Sequence, residues 1–310
     1  MSRASAGPSW DVLGLGENSV DIVHVLPGYP QPHGPQAKMR IREQEICVGG
    51  QMVTALSTCA ALGLRTKYLG ATGNDEHGGR VRQALAERGI DASSVIVRDA
   101  ANRYAVILLD ESSGERVILW DRDERLNLHP DELPAEAIAA ARLLHVDGVD
   151  EDAAIRAALA GRAAGIHVTS DLDRLTARSD ELFRAVTIPI LAEHLPAAMT
   201  GLGDLDAALR ALRRRHDGLL VVTLGARGAA ALDGDRLLRV EGFAVNATDT
   251  TGAGDVFRGG FIYGLLQGWE LETTLRFANA AAAVSCTRRG ALNGVPSMGE
   301  IQALLGREPS

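Results

Sequence analysis

Residues 249–266 read Asp249-Thr250-Thr251-Gly252-Ala253-Gly254-Asp255-Val256-Phe257-Arg258-Gly259-Gly260-Phe261-Ile262-Tyr263-Gly264-Leu265-Leu266, a glycine turn that opens an apolar helix. The amides of a first helical turn have no partner inside the helix and stand at the positive end of its dipole. Small residues at Gly252, Ala253 and Gly254 let an anion approach those amides, so the turn suits a phosphoryl group. Asp255 stands beside that anion, where a carboxylate can take the proton of a hydroxyl attacking phosphorus. The alternative is an acid that merely decorates a helix start. Against it, Gly259, Gly260 and Gly264 each cost a helix about 1 kcal/mol relative to alanine, so another segment is expected to pack closely on this face.

Working outward, short apolar runs alternate with helical patterns. Residues 12–15 precede 52–62, 66–69 precede 80–88, 143–146 precede 153–164, and 167–170 precede 181–186. Runs at 188–191 and 219–224, with a helical pattern at 205–213 between them, continue the series. Parallel strands need such crossovers, so the pattern predicts an α/β fold with a doubly wound, mostly parallel sheet flanked by helices. Ligands then belong at the carboxyl ends of the strands. Two stretches break the alternation: 21–46, rich in Pro and Gly, and 103–120, which reads as a β-hairpin around Asp110-Glu111-Ser112-Ser113-Gly114. They predict a small antiparallel β lid formed by about 20–46 and 103–122.

Composition excludes other classes. The chain has 310 residues, 46% hydrophobic and 23% charged, an ordinary globular balance rather than that of a disordered, fibrous or membrane protein. The 32 Lys and Arg against 40 Asp and Glu give a net charge of −8, with no dense basic run beyond Arg213, Arg214 and Arg215, which argues against a nucleic-acid partner. No apolar leader and no membrane-length apolar run is present, so a cytoplasmic protein without a membrane partner is expected. Cys47, Cys59 and Cys286 have no C-x-x-C spacing and read as small buried side chains.

The 249–255 string matches the C-terminal signature of the ribokinase-like (PfkB) carbohydrate kinases. Gly49-Gly50-Gln51-Met52-Val53-Thr54-Ala55 resembles the N-terminal Gly-Gly signature of that family, and Gly70-Ala71-Thr72-Gly73-Asn74-Asp75-Glu76-His77-Gly78 its G-x-x-G-x-D-x-x-G element. Val222-Thr223-Leu224-Gly225-Ala226-Arg227-Gly228 is similar to its nucleotide loop, and residues 279–296 resemble its closing segment. The resemblance implies one ribokinase-like kinase domain over 1–310 and a sugar kinase using ATP and Mg²⁺. It makes Asp255 the catalytic base and Gly252, Ala253 and Gly254 the anion hole. Asn18, Asp21, Gly49, Gly50, Gln51 and Thr54 would line the sugar site, with Arg103 near it. Thr223, Gly225, Gly228, Thr251, Gly254 and Asn279 would contact the nucleotide. Asp249, Thr251, Ser285, Arg288, Gly290 and Gly294 match positions around a monovalent cation in several members, which implies K⁺. A homodimer through the lid is a further implication, since an unpaired lid sheet exposes edges and one apolar face.

The sequence also departs from the family pattern. The Asn-x-x-Glu element associated with Mg²⁺ is replaced by Ala192-Glu193-His194-Leu195, leaving Glu193 as a substitute ligand. Thr54 replaces a sugar-contacting Asn. Arg258 stands where a smaller residue is usual, suited to an i,i+3 ion pair with Asp255, to an anionic substrate group or to solvent. Arg122 at the end of the lid hairpin, with Lys38, Arg40, Arg42 and Arg103, would suit a phosphorylated or acidic sugar, although lids exposed to water carry charges anyway. Asp147, Asp171 and Asp173 follow strands and either face the cleft or simply end those strands. Alternatives are a nucleoside kinase of the same fold and a catalytically weak sugar or nucleotide sensor. Gly14-Leu15-Gly16-Glu17-Asn18-Ser19 superficially resembles a G-x-G-x-x-G dinucleotide loop. Its third glycine is Ser19, and Pro27 and Pro30 interrupt the helix that should follow.

Overall fold

In the computed structural model, which describes residues 8–113 and 115–306, the chain starts on β1 (Trp10–Leu15), with Val12, Leu13 and Leu15 fully buried. It then leaves the sheet. Strands β2 (Ser19–Leu26) and β3 (Glu43–Gly49) form one hairpin before α1 (Gln51–Ala61) and β4 (Thr66–Leu69) return to it. Strand β5 (Ala71–Gly73), helix α2 (Glu76–Glu87) and β6 (Ile96–Arg98) make a small parallel unit, with the Asp75 carboxylate capping α2 through Gly78 N. Strands β7 (Tyr104–Asp110) and β8 (Arg116–Asp121) form the second hairpin; Gly114 in its turn lies outside the described residues.

The predicted alternation then runs through α3 (Ala135–Ala139), β9 (Ala141–Asp147), α4 (Glu151–Ala163), β10 (His167–Leu172), α5 (Ser179–Ala185), β11 (Ile188–Ala192), α6 (Leu195–Thr200), α7 (Leu205–Arg213) and β12 (Leu220–Thr223). Antiparallel β13 (Ala229–Asp233) and β14 (Arg236–Val240) close one edge. Helices α8 (Ala253–Leu266), α9 (Leu271–Ser285), α10 (Ala291–Gly294) and α11 (Met298–Leu305) complete the chain.

The main sheet has the order β14-β13-β12-β11-β10-β9-β1-β4, parallel from β12 to β4. Side chains alternate between two layers. Val12, Leu143, Ile190 and Val221 pack with α1, α2, α8 and α9, while Leu13, Leu144, Leu191 and Val222 pack with α4, α5 and α7. Strand order reverses between β1 and β9, so the crevice at their carboxyl ends is where such a sheet binds ligands. The lid sheet, β3-β2-β7-β8, consists of two antiparallel hairpins joined along a parallel β2–β7 seam. The close packing expected of the α8 glycines is present. Gly259 lies against Ala55 and Thr58 of α1, Gly260 against Ala278 and Ala281 of α9, and Gly264 against Thr274.

Candidate active site

The turn before α8 is tied down at both ends. Thr248 N and Asp249 N donate to Cys286 O at 2.7 and 3.2 Å, and Ala253 N donates to Thr250 O at 3.3 Å. Asp249 Oδ1 accepts from Thr251 N and Oγ1 at 2.9 and 2.7 Å, and its Oδ2 accepts from Gly290 N at 2.8 Å. Burial pushes the Asp249 carboxyl up, but the Gly290 and Thr251 donors outweigh it and hold the group below its ordinary value. Gly252 caps α8 at φ +78°, where a β-carbon would lie 2.8 Å from Ala291 Cβ and 3.3 Å from Thr54 Cγ2. Glycine is thus required at position 252 both by its positive φ and by the close approach of Ala291 and Thr54.

Asp255 sits in that first turn, half-buried. Burial and the neighbouring Asp171 carboxylate push its carboxyl well above the usual range, against the pull of Arg258. Arg258 is only 3% exposed and pairs with Asp171 at 2.5 Å rather than with solvent or with Asp255. Asp171, at the carboxyl end of β10, is raised in turn by burial. Asp147, at the end of β9, accepts from Glu17 N at 2.6 Å and Val149 N at 3.0 Å, and burial with the Glu17 charge pushes it up to about 7.

Across from this helix, Gly50 (φ +96°) caps α1 beside Gln51, and a β-carbon there would stand 2.7 Å from both Asn18 Cα and Glu17 O. Gly49 similarly leaves room for Asp21, whose Oδ2 would lie 2.6 Å from a Gly49 β-carbon. Asp21 accepts from Ser19 Oγ at 3.0 Å and is raised chiefly by burial. It lines, with Cys47, Ile107, Arg116, Asp249 and Thr251, a cavity of about 270 Å³ beneath the lid. Thr54 is fully buried, and its hydroxyl has no partner among the described residues, a vacant donor and acceptor beside the turn.

A family model described as pfkB family carbohydrate kinase matches residues 15–298. The chain belongs to the PfkB family of carbohydrate kinases. It is 29% identical to a nucleoside kinase of Methanothermobacter thermautotrophicus over 94% of each chain. A candidate ribokinase of Agrobacterium tumefaciens superposes with a TM-score of 0.89 at 28% identity, over 98% of this chain and 100% of that one. The Arabidopsis thaliana ribokinase solved with ribose and ATP shares the fold, with a TM-score of 0.83 at 23% identity over 98% and 100% of the two chains. The protein is thus a phosphotransferase acting on an alcohol acceptor.

Not every side chain the sequence singles out reaches into the kinase's cleft. The Asn18 amide donates to Tyr68 Oη and Ala71 O, both at 2.8 Å, and accepts from Asn102 Nδ2 at 3.0 Å, so here it braces the wall behind Gly50. Arg103 pairs with Glu17 at 2.8 Å and lies 5.3 Å from the Trp120 ring centroid. Arg42 pairs with Glu111 at 3.7 Å, while Lys38 and Arg40 are exposed in the lid loop. Two further lid cations are engaged as well, Arg116, which sequence reasoning did not single out, and Arg122 at the end of the hairpin. The first donates to Thr251 Oγ1 at 2.6 Å and pairs with Asp249 at 3.3 Å, and the second pairs with Asp150 at 2.6 Å.

Among the residues that the resemblance assigns to the nucleotide, Thr223 ends β12, and Gly225 and Gly228 take φ +58° and +90°. A β-carbon on Gly228 would run into Val240 O. Asn279 donates to Val240 O and Glu241 O at 3.0 and 3.1 Å, fixing the opposite wall. Glu193 is paired with Arg227 of the glycine loop. In the closing loop Gly290 holds Asp249, Gly294 packs on Ser285, and Arg288 pairs with Glu300.

Proposed function

We propose that the kinase transfers the γ-phosphoryl group of ATP to a hydroxyl of an uncharged sugar, with Asp255 as general base, within one kinase domain over 1–310 whose lid covers the acceptor. The observation that supports this reading is that Asp255 stands in the first turn of α8, directly after a 252–254 turn whose Gly252 approaches Thr54 of α1 and whose neighbours Asp249 and Thr251 line one cavity with Asp21. The acceptor hydroxyl gives its proton to Asp255 as its oxygen forms the new bond to phosphorus and the bond to ADP breaks. The first-turn amides meet the charge on the transferring group. Four lid and wall arginines, Arg42, Arg103, Arg116 and Arg122, already face carboxylates, which leaves Asp21 and Thr54 to meet neutral hydroxyls.

Mg²⁺ would neutralise the phosphates. Among the described residues no three His, Cys, Asp or Glu side chains converge on a metal site, and Glu193 is engaged by Arg227, so the donor set fits an ion held chiefly by phosphate and water. K⁺ would lie beside Asp249, where the Arg116 guanidinium already supplies positive charge. ATP use supports a cytoplasmic location. In an ADP-release assay with Mg-ATP across ketoses, pentoses, sugar acids, sugar phosphates and nucleosides, a neutral sugar is expected to stimulate turnover. Exchanging K⁺ for tetramethylammonium is expected to reduce that turnover without abolishing it. A response to nucleosides alone favours the nucleoside kinase reading, which the Methanothermobacter relative supports. ATP binding without any stimulating acceptor favours a sensor.

The lid also supports a homodimer. Strand β8 is an edge strand with Val117, Ile118, Leu119 and Trp120 exposed at 41 to 57%, an apolar row that a second lid would cover. Light scattering on a sizing column is expected to give a dimer at micromolar concentration, and Leu119→Glu a monomer. A wild-type monomer overturns the lid interface.

A further inference from the structure

Beneath the turn, on the side of α8 facing β10, lies a charged pair to which phosphoryl transfer by Asp255 and the turn amides gives no role. Arg258 and Asp171 are 3% and 1% exposed and lie 2.5 Å apart. The guanidinium also lies along the anion hole: a β-carbon on Gly254 would stand 2.7 Å from Arg258 Nη1. Arg258 follows Asp255 by three residues on α8, so the pair stands on the same helix face as Asp255, and the Asp171 charge opposes ionisation of Asp255. Beyond the contact between Arg258 Nη2 and Asp171 Oδ1, the second carboxylate oxygen Oδ2 and Arg258 Nε have no hydrogen-bond partner among the described residues. A buried ion pair with such vacancies is a poor stabilising device, because desolvation outweighs attraction unless the remaining polar atoms are satisfied. Two carboxylates side by side with one cation can, however, set how readily one of them takes a proton.

We propose that Arg258 and Asp171 are positioning residues for Asp255: they set the pH at which it can accept the acceptor's proton, and Arg258 braces the Gly254 edge of the anion hole. The inference rests on Asp255 being the base. The other charged group acting on Asp255 is Glu17 after β1; Asp171 has Asp173 after β10 and Asp147 on β9 beside it, Arg258 has His145 on β9, and the Cys59 thiol of α1 is bonded to Gly259 O of α8. His145 is held neutral near pH 7 by burial and by Arg258, its value drawn down to about 3. Asp171 and Glu17 oppose charge on Asp255, and Arg258 is the cation that favours it. Removing Arg258 therefore makes Asp255 harder to ionise, and removing the Asp171 charge makes it easier.

The test is the pH profile of kcat/KM for Arg258→Met, Arg258→Lys and Asp171→Asn. The acid limb is expected to move up by about one pH unit or more in Arg258→Met, to move down by a similar amount in Asp171→Asn, and to stay near wild type in Arg258→Lys. Loss of the brace in Arg258→Lys is expected instead in a raised KM for ATP. A residue with only a structural role lowers activity evenly across pH, and unmoved limbs in both Arg258→Met and Asp171→Asn overturn the proposal. The melting temperature against pH gives a readout that needs no acceptor. An acid whose folded state holds its proton more tightly than the unfolded chain loses stability as pH rises through that range. Between pH 5 and 8 the decline is thus expected to be steeper in Arg258→Met and shallower in Asp171→Asn, and parallel curves overturn the pairing. If wild type phosphorylates nothing while these curves diverge, the functional reading fails and the charge coupling stands.

Discussion

Asp255→Asn is expected to lower kcat by about 10²- to 10⁴-fold, the range a positioned general base contributes, while KM for ATP stays close to wild type. The asymmetry follows from the site's construction. In the proposed reading the phosphates are met by backbone amides at the 252–254 turn, which is held by Asp249, Cys286 and Gly290, none of which the substitution touches. Asparagine nearly matches aspartate in shape but cannot take a proton from a hydroxyl at neutral pH. The same change relieves the repulsion with Asp171, so the variant's melting temperature is expected to equal or exceed that of wild type. Loss of activity with an undiminished melting temperature separates chemistry from folding. An Asn variant retaining more than a tenth of wild-type turnover removes Asp255 from the role of base.

The legible part of this fold is what local patterning controls. Apolar runs with period-3.6 and strand-like spacing mark the elements of the main sheet, and the turn residues 110–114 mark the second lid hairpin. The glycines of α8 announced a close neighbour because each is locally unfavourable, and the neighbour is there. What escaped is set by partners remote in the chain. The residues flanking Arg258 give no sign that Asp171, on the adjoining strand β10, awaits it, and Asn18 carries no mark of the Tyr68 and Asn102 network that occupies its amide. The engagement of Glu193 by Arg227 depends on the β11 and β12 ends being neighbours, a property of sheet order. The parallel β2–β7 seam is equally invisible to hairpin signals, which report only pairing across a turn.

The other large expected effect tests whether α1 and α8 must touch for the site to exist. A β-carbon on Gly259 would lie 2.5 Å from Thr58 Cβ and 2.8 Å from Ala55 O, distances that side-chain rotation cannot relieve because the second is backbone. Gly259→Val is therefore expected to destabilise the kinase by about 1–3 kcal/mol, the range for overpacking a filled core, and to lower the melting temperature by several degrees. Helix α1 begins at Gln51 and carries Thr54, while α8 begins at Ala253 and carries Asp255. Pushing the two helices apart thus separates the proposed acceptor wall from the proposed base, and KM for the acceptor is expected to rise in the fraction that stays folded. Gly299 in α11, where a β-carbon would meet nothing within 4 Å among the described residues, supplies the contrast. Gly299→Ala is expected to leave kinetics unchanged and to stabilise by up to about 1 kcal/mol through helix propensity alone. Equal stability of Gly259→Val and wild type means that α1 yields without cost, and the close approach then has no part in building the site.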